Sequence, residues 1–334
     1  MKKEIIHSEK LNSDRIDAFV YEHYTKTEPE IKKQIPPFVG PVIEGIDVGK
    51  DRYGDTHPTY PLIELAKGPF LEERIEFGGY TVRYFLPESV KEKGPAVFYF
   101  HGGGWKIGAG DKYNNCCRYI AERIQGPVVS VDYTLSPETK FPTAVEQCYA
   151  AIDRFMKEAD KWHIAIENVS VLGDSAGSNL AAAVCIRDKE THYIKRQILY
   201  YPLIDFTSYS HEHFDISLYG PLCKLAQDKI KGMSDPAYLQ TIRKVYLGDR
   251  TDYDNPLISP IWEKDLSIFP QTIMFTAEFD FLRMQSEDFA ERLDKAGVEV
   301  NYYLCEGCFH GLFEKLGYFS ASQKSIDIFT ELIL

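Results

Sequence analysis

No apolar stretch in the 334 residues approaches the length needed to cross a bilayer. The opening segment, Met1 to Lys10, carries Lys2 and Lys3 but no hydrophobic run behind them, so it does not read as a secretion signal. Basic residues are outnumbered: 38 lysines and arginines face 50 aspartates and glutamates, a formal charge of −12. That balance repels nucleic acid unless a local basic patch overrides it, and Lys189, Lys195 and Arg196 are too scattered to form one. Internal repeats and low-complexity tracts are also missing. The seven cysteines are odd in number and irregular in spacing, which points to reduced thiols and a cytoplasmic setting rather than a disulfide framework. Cys305-x-x-Cys308 has the spacing of a redox or zinc pair but lacks a second pair, and His211-x-His213 has no ligand cluster around it. Neither supports a metal, and the histidines read as surface residues.

What the sequence does have is a serine at a sharp boundary. Gly173-Asp174-Ser175-Ala176-Gly177 follows the apolar run Val169 to Leu172 and precedes the small, helix-forming stretch Ser178 to Ala183. By itself the pentapeptide also fits a helix-capping turn. A serine on a tight strand-to-helix turn, however, stands clear of the sheet, and the free N–H groups of the new helix face the same spot. Upstream, the apolar run Ala96 to Phe100 has the character of a strand covered on both faces and ends in His101-Gly102-Gly103-Gly104-Trp105. Three consecutive glycines give up much backbone freedom on folding. Either they form a flexible turn, or side chains are absent so that N–H groups can face a ligand and stabilise growing negative charge. A serine hydroxyl needs a base, and the base needs an acid to orient it. Strand-like runs at Gln271–Thr276 and Val298–Leu304 are followed by Asp280 and His310, both just past strand ends, where open α/β sheets place their sites. The chain order serine, aspartate, histidine fits such a sheet.

These segments together resemble the hormone-sensitive-lipase family of α/β-hydrolase esterases. The resemblance rests on HGGGW at 101–105, GDSAG at 173–177, D-x-L-R at 280–283 and the His-Gly pair at 310–311. Val131 to Glu138, followed by Phe141-Pro142-Thr143-Ala144, is similar to a fifth family segment. Thr134 departs from it, standing where an arginine is usual, as does Cys308 before Phe309-His310. The likeness runs from about Pro95 to the C-terminus. It implies Ser175 as nucleophile, His310 as general base and then acid, and Asp280 as the residue that orients His310. It also implies an oxyanion hole from the backbone N–H groups of Gly103, Gly104 and Ala176, with Gly102 shaping the turn. Glu278 and Asp205 compete with Asp280 for the role of acid; Asp280 is preferred because it heads D-x-L-R. Asp174 reads as a buttress for neighbouring loops.

The expected architecture is a mostly parallel, eight-stranded α/β-hydrolase sheet flanked by helices, with a helical cap. Residues 1–70 would supply the N-terminal part of the cap, and 71–334 the catalytic domain with a cap insertion at about 207–246. Glu72 to Leu86, broken by Gly78-Gly79, predicts a hairpin, and Val145, Cys148, Ile152 and Phe155 form one stripe of a helix. The strand near Val298 would lie at the sheet edge, open to pairing with a second copy as a homodimer. Trp105, Phe206 and Tyr209 are candidates to line a substrate pocket, with Phe214 and Tyr219 nearby, although each could simply glue cap to body. The resemblance implies hydrolysis of short-chain carboxylic esters, small-molecule substrates, without metal or organic cofactor. Two other readings stay open: a non-catalytic small-molecule receptor on the same fold, which would have no use for His310, and an acyltransferase.

Overall fold

A computed structural model describes residues 1–33, 42–43, 46–49, 51–52, 62–108, 110–207, 213 and 215–334. Seven parallel strands form the body of one sheet: β1 (Lys2–Ile6), β6 (Gly94–Phe100), β7 (Val128–Asp132), β8 (Ile164–Asp174), β9 (Arg196–Tyr200), β10 (Gln271–Ala277) and β11 (Val300–Cys305). A short ladder, β2 (Val42–Ile43) with β3 (Ile46–Asp47), stands apart from it. The predicted hairpin is β4 (Phe70–Glu76) and β5 (Thr81–Pro87), paired antiparallel, with Gly78 and Gly79 at positive φ in its turn. It extends the sheet to nine strands in the order β1-β11-β10-β9-β8-β6-β7-β5-β4. From Ala96 to Phe100 every side chain of β6 is fully buried, as a doubly covered strand requires. Helices α3 (Asn114–Ile124), α4 (Thr143–Lys157), α5 (Ala176–Arg187), α8 (Arg283–Lys295) and α9 (Ser320–Ile333) flank the sheet. The stripe Val145, Cys148, Ile152 and Phe155 on α4 is buried.

Strand order fixes where a site can sit. The chain leaves β6 for β7 on one side and returns to β8 on the other, so the connections diverge at the carboxyl ends of β6 and β8. That divergence opens a crevice above the sheet. Over it lie helices from two distant stretches: α1 (Ala18–Glu22) and α2 (Glu28–Lys32) near the N-terminus, and α6 (Lys224–Met233) and α7 (Pro236–Leu247) between β9 and β10. They meet where Lys229 pairs with Glu28 at 3.1 Å and lies over the Tyr24 ring at 3.9 Å.

Two expectations change. The sheet has nine strands rather than eight, because residues 2–6 join it instead of belonging to a cap. The strand near Val298 is consequently no edge. β1 pairs along β11 from Lys2 opposite Asn301 to Ile6 opposite Cys305, and Glu306 donates a further hydrogen bond to the carbonyl of Ile6. Alternation explains why the sequence hid this strand: of its five residues only Ile6 is buried, so it carries almost no apolar signal.

An uncovered strand edge is a template for association. Deletion of residues 1–7 is therefore expected to yield a protein that self-associates, seen as early elution and increased light scattering on size-exclusion chromatography. A truncated chain that stays monodisperse at the same concentration would show that β1 does not protect β11.

Candidate active site

The turn after β8 is crowded. A Cβ on Gly177 would strike the carbonyl oxygen of Phe100, and one on Gly173 would strike the backbone of Gly177. Glycine at both positions lets α5 cross β6 and β8 at backbone contact distance. Between them Ser175 adopts φ 53° and ψ −116°, a conformation that costs a non-glycine residue about 1–3 kcal/mol. Hydrogen bonds hold it there: Ser175 N–H donates to the Tyr200 carbonyl at 2.9 Å, and Ser178 Oγ donates to the Gly173 and Tyr200 carbonyls. The hydroxyl of Ser175 is thereby presented at the mouth of the crevice.

Asp280 and His310 reach the same point from the ends of β10 and β11. Ser175 Oγ lies 2.9 Å from His310 Nε2, and His310 Nδ1 lies 2.8 Å from Asp280 Oδ2. With Nδ1–H donated to the carboxylate, Nε2 is left to accept the serine proton. Asp280 is fully buried, and its other oxygen accepts from the Leu282 N–H at 2.9 Å. The ring of His310 packs against Tyr201 and Phe281 at centroid distances of 4.6 and 5.3 Å. Burial works against a charged His310, yet the charge of Asp280 and the hydrogen bond to it prevail, aided by Asp174 and Glu314. The net effect holds the imidazole above its ordinary value of 6.5.

Gly102, Gly103 and Gly104 differ in what they do. The N–H of Gly102 donates to Asp174 Oδ1 at 2.7 Å, so it shapes the loop and has no proton to offer a ligand. A Cβ there would meet Asp174, and one on Gly103, at φ +104°, would meet the backbone of Ile107. Among the described residues nothing accepts from the N–H groups of Gly103, Gly104 or Ala176. His101 anchors the start of the loop: its ring stacks on Tyr133 at 4.1 Å, and its carbonyl accepts from the Tyr133 hydroxyl at 2.8 Å. Asp174 buttresses the same loop, accepting from Tyr99 Oη at 2.7 Å, and burial pushes its carboxyl up to about 6 against those hydrogen bonds.

The rival acids are engaged elsewhere. Glu278 pairs with Arg15 at 2.6 Å and accepts from the Gly307 N–H at 2.9 Å. Asp205 accepts from Thr207 at 2.8 Å and from Trp262 Nε1 at 3.2 Å. His213 is no surface histidine: it is buried, with Nε2 3.1 Å from Asp288. Cys305 and Cys308 are buried free thiols; burial pushes Cys305 up to about 12 and Cys308 upward too, which leaves little thiolate for chemistry. Thr134, at the arginine position, bonds Gln147 through its N–H and hydroxyl at 2.8 and 3.0 Å.

Two cavities share Ser175 and His310. One is a cleft of about 530 Å³ whose lining includes Tyr24, Lys112, Lys229 and Glu314. The other is a recess of about 40 Å³ walled by Trp105, Leu203, Leu239, Ile242 and Leu282. Trp105 thus borders a cavity, whereas Phe206 is fully buried behind it at 5.6 Å and lines neither. Tyr209 and Phe214 lie outside the described residues. Two tyrosines that the sequence did not single out for this purpose brace the site. Tyr219 Oη donates to the Asp280 carbonyl at 2.7 Å, and Tyr24 Oη to the His310 carbonyl at 3.4 Å. A hydroxyl bonded to a base, a base bonded to a buried carboxylate and a cluster of unengaged N–H groups are the parts needed for addition to a carbonyl or phosphonyl centre.

Residues 97–314 match a family described as the alpha/beta hydrolase fold. The chain is similar to an arylesterase of Saccharolobus solfataricus, 32% identical over 241 residues that cover 69% of this chain and 71% of that protein. It is also similar to the carboxylic ester hydrolase LipN of Mycobacterium tuberculosis, 33% identical over 290 residues, 80% of this chain and 72% of that one. Among solved structures, an esterase of Pyrobaculum calidifontis matches with a TM-score of 0.70 at 30% identity, covering 79% of this chain and 85% of that one.

Because only neutral His310 can take a proton, Ser175 should react with an aryl phosphonate at a rate that falls as pH drops through the histidine pKa. The midpoint is expected above 6.5, followed by mass spectrometry of the Ser175 adduct. A rate flat between about pH 5 and 9 would remove His310 as the base.

Proposed function

Since the chain belongs to the hormone-sensitive-lipase type of the α/β-hydrolase family, we propose that it is a serine carboxylesterase acting on short-chain esters through an acyl-enzyme. Carboxylic ester hydrolysis is the activity that relatives similar to it are named for. The observation that carries the reading is the 2.9 Å approach of Ser175 Oγ to His310 Nε2, in a crevice where the N–H groups of Gly103, Gly104 and Ala176 meet no acceptor among the described residues.

In this reading Ser175 Oγ attacks the ester carbonyl carbon while its proton passes to His310 Nε2. Asp280 stabilises the resulting imidazolium and keeps the ring in place. The carbonyl oxygen becomes an oxyanion held by the three N–H groups, each contributing about 3 kcal/mol of barrier lowering. Collapse of the tetrahedral intermediate breaks the bond to the alcohol oxygen, which takes the proton back from His310 and leaves. A water then enters, gives its proton to His310 and attacks the acyl carbon; collapse of this second intermediate breaks the bond to Ser175 Oγ, which takes the proton back from His310, and the acid is freed. Acyl preference follows from the recess of about 40 Å³, whose walls of leucine, isoleucine and tryptophan suit a short apolar chain. The helices above the crevice, from residues 1–70 and about 207–246, would act as the cap that sets this choice. A cytoplasmic location is supported by seven free cysteines, six of them buried. Among the described residues no helix is long and apolar enough to cross a membrane. Any homodimer built along a sheet edge would pair through β1 or β4.

Substitution Ser175→Ala is expected to cut turnover of p-nitrophenyl acetate by at least about 10⁴-fold with an unchanged circular dichroism spectrum. Wild-type turnover in that variant would end the assignment of Ser175. Octanoyl esters should trail butyryl esters by about tenfold or more in kcat/KM, since each methylene too many for the recess costs about 1–3 kcal/mol.

A further inference from the structure

The large cleft has an unusual lining for an esterase expected to take apolar chains. Three lysine–carboxylate pairs project into it: Lys112 with Glu314 at 2.6 Å, Lys229 with Glu28 at 3.1 Å, and Lys106 with Asp51. Glu314 is held between two ammonium groups, because the buried Lys315 pairs with its other oxygen at 2.6 Å. Burial opposes the charge of Glu314, yet Lys112 and Lys315 keep its carboxyl well below the ordinary range. Aromatic side chains, Tyr24, Tyr113 and Tyr238 among them, line the same cleft, with Lys229 over the Tyr24 ring and Lys112 over the Tyr113 ring. The recess on the other side of Ser175 has no charged residue among its described lining.

This division assigns the two halves of an ester. The acyl group stays covalently attached while the alcohol departs and water arrives by the same route. The small recess therefore holds the acyl group, and the cleft of about 530 Å³ holds the alcohol. A hydrocarbon alcohol there would gain contact with Phe279, Phe281 and Phe309 but would strip water from six charged groups, a penalty on every binding event. A charged alcohol would compete with one member of a pair. A neutral polyol suits the lining: each hydroxyl both donates and accepts, so it can bridge ammonium and carboxylate, while the C–H face of a sugar ring lies against tyrosine. Resting on the esterase reading above, the geometry points to a short-chain ester of a polyhydroxylated, sugar-like alcohol as the substrate class, with the Lys106, Lys112 and Lys229 ion pairs forming the alcohol subsite.

The test compares two acetates whose rings match in size: glucose acetylated on its primary hydroxyl, and cyclohexylmethyl acetate, which lacks hydroxyls. p-Nitrophenyl acetate serves as the control for esterase activity. The expected result is a kcat/KM for the glucose ester at least about tenfold above the cyclohexyl ester, reduced about threefold or more in Lys229→Met. Lys106→Met, in another of the three pairs, provides the same readout should Lys229→Met fail to fold. Equal or reversed preference in an enzyme that cleaves p-nitrophenyl acetate overturns the polyol subsite and leaves the esterase standing. A preference that neither variant changes overturns the role of the ion pairs, and with it the subsite. Failure to cleave any of the three esters removes the esterase reading, and the subsite falls with it.

Discussion

The site depends on how closely one helix can approach two strands. α5 begins at Ala176, directly against the ends of β6 and β8, and the space for its first turn exists only because residues 173 and 177 have no side chains. That approach forces Ser175 into positive φ, and the sheet stabilises the strained residue through the Tyr200 carbonyl. The same contact brings the glycine loop after β6 within reach of Asp174, which ties Gly102 to the turn. Nucleophile, glycine loop and helix N-terminus are thus consequences of one packing constraint rather than three separate placements. A larger residue at 177 would displace all of them together.

Charge is organised around that core in layers. Closest in, Asp280 is buried and satisfied by His310 and the Leu282 N–H, so its charge acts almost wholly on the imidazole. Asp174, with burial pushing it up to about 6, adds a weaker field and serves mainly as a hydrogen-bond acceptor. Farther out, the lysine–carboxylate pairs line the cleft with both signs of charge, and Glu314 among them still contributes to holding His310 upward.

Local pattern carried most of what the sequence disclosed. The apolar run of β6, the small residues around Ser175 and the positions of Asp280 and His310 after strand ends are each legible within a few residues, and all four converge as expected. What escaped notice depends on contacts between distant segments. β1 was hidden because only one of its five residues is buried. Phe206 was grouped with Trp105 as pocket-lining, but α7 places Tyr246 at 4.0 Å on one face of Trp105, and Phe206 packs behind them. The Lys229–Glu28 pair joins residues 201 positions apart, and no spacing rule relates them. Glu278 is a rival acid by spacing because it sits two residues from Asp280, yet the chain turns at 278–279, just past β10, and Glu278 pairs with Arg15.

The cap segments do more than cover the crevice. Tyr219, in the stretch between β9 and β10, holds the carbonyl of Asp280, and Tyr24, near the N-terminus, holds the carbonyl of His310. Each of these two stretches therefore holds the backbone of one partner of Ser175, and Lys229 pairs with Glu28 between them. Ser175, Asp280 and His310 follow strand ends, and the loops that bear Asp280 and His310 are held by these contacts. Substrate entry must pass these same helices. In the proposed reaction, the stretches that border the cleft would therefore also keep the acid and base in line with Ser175.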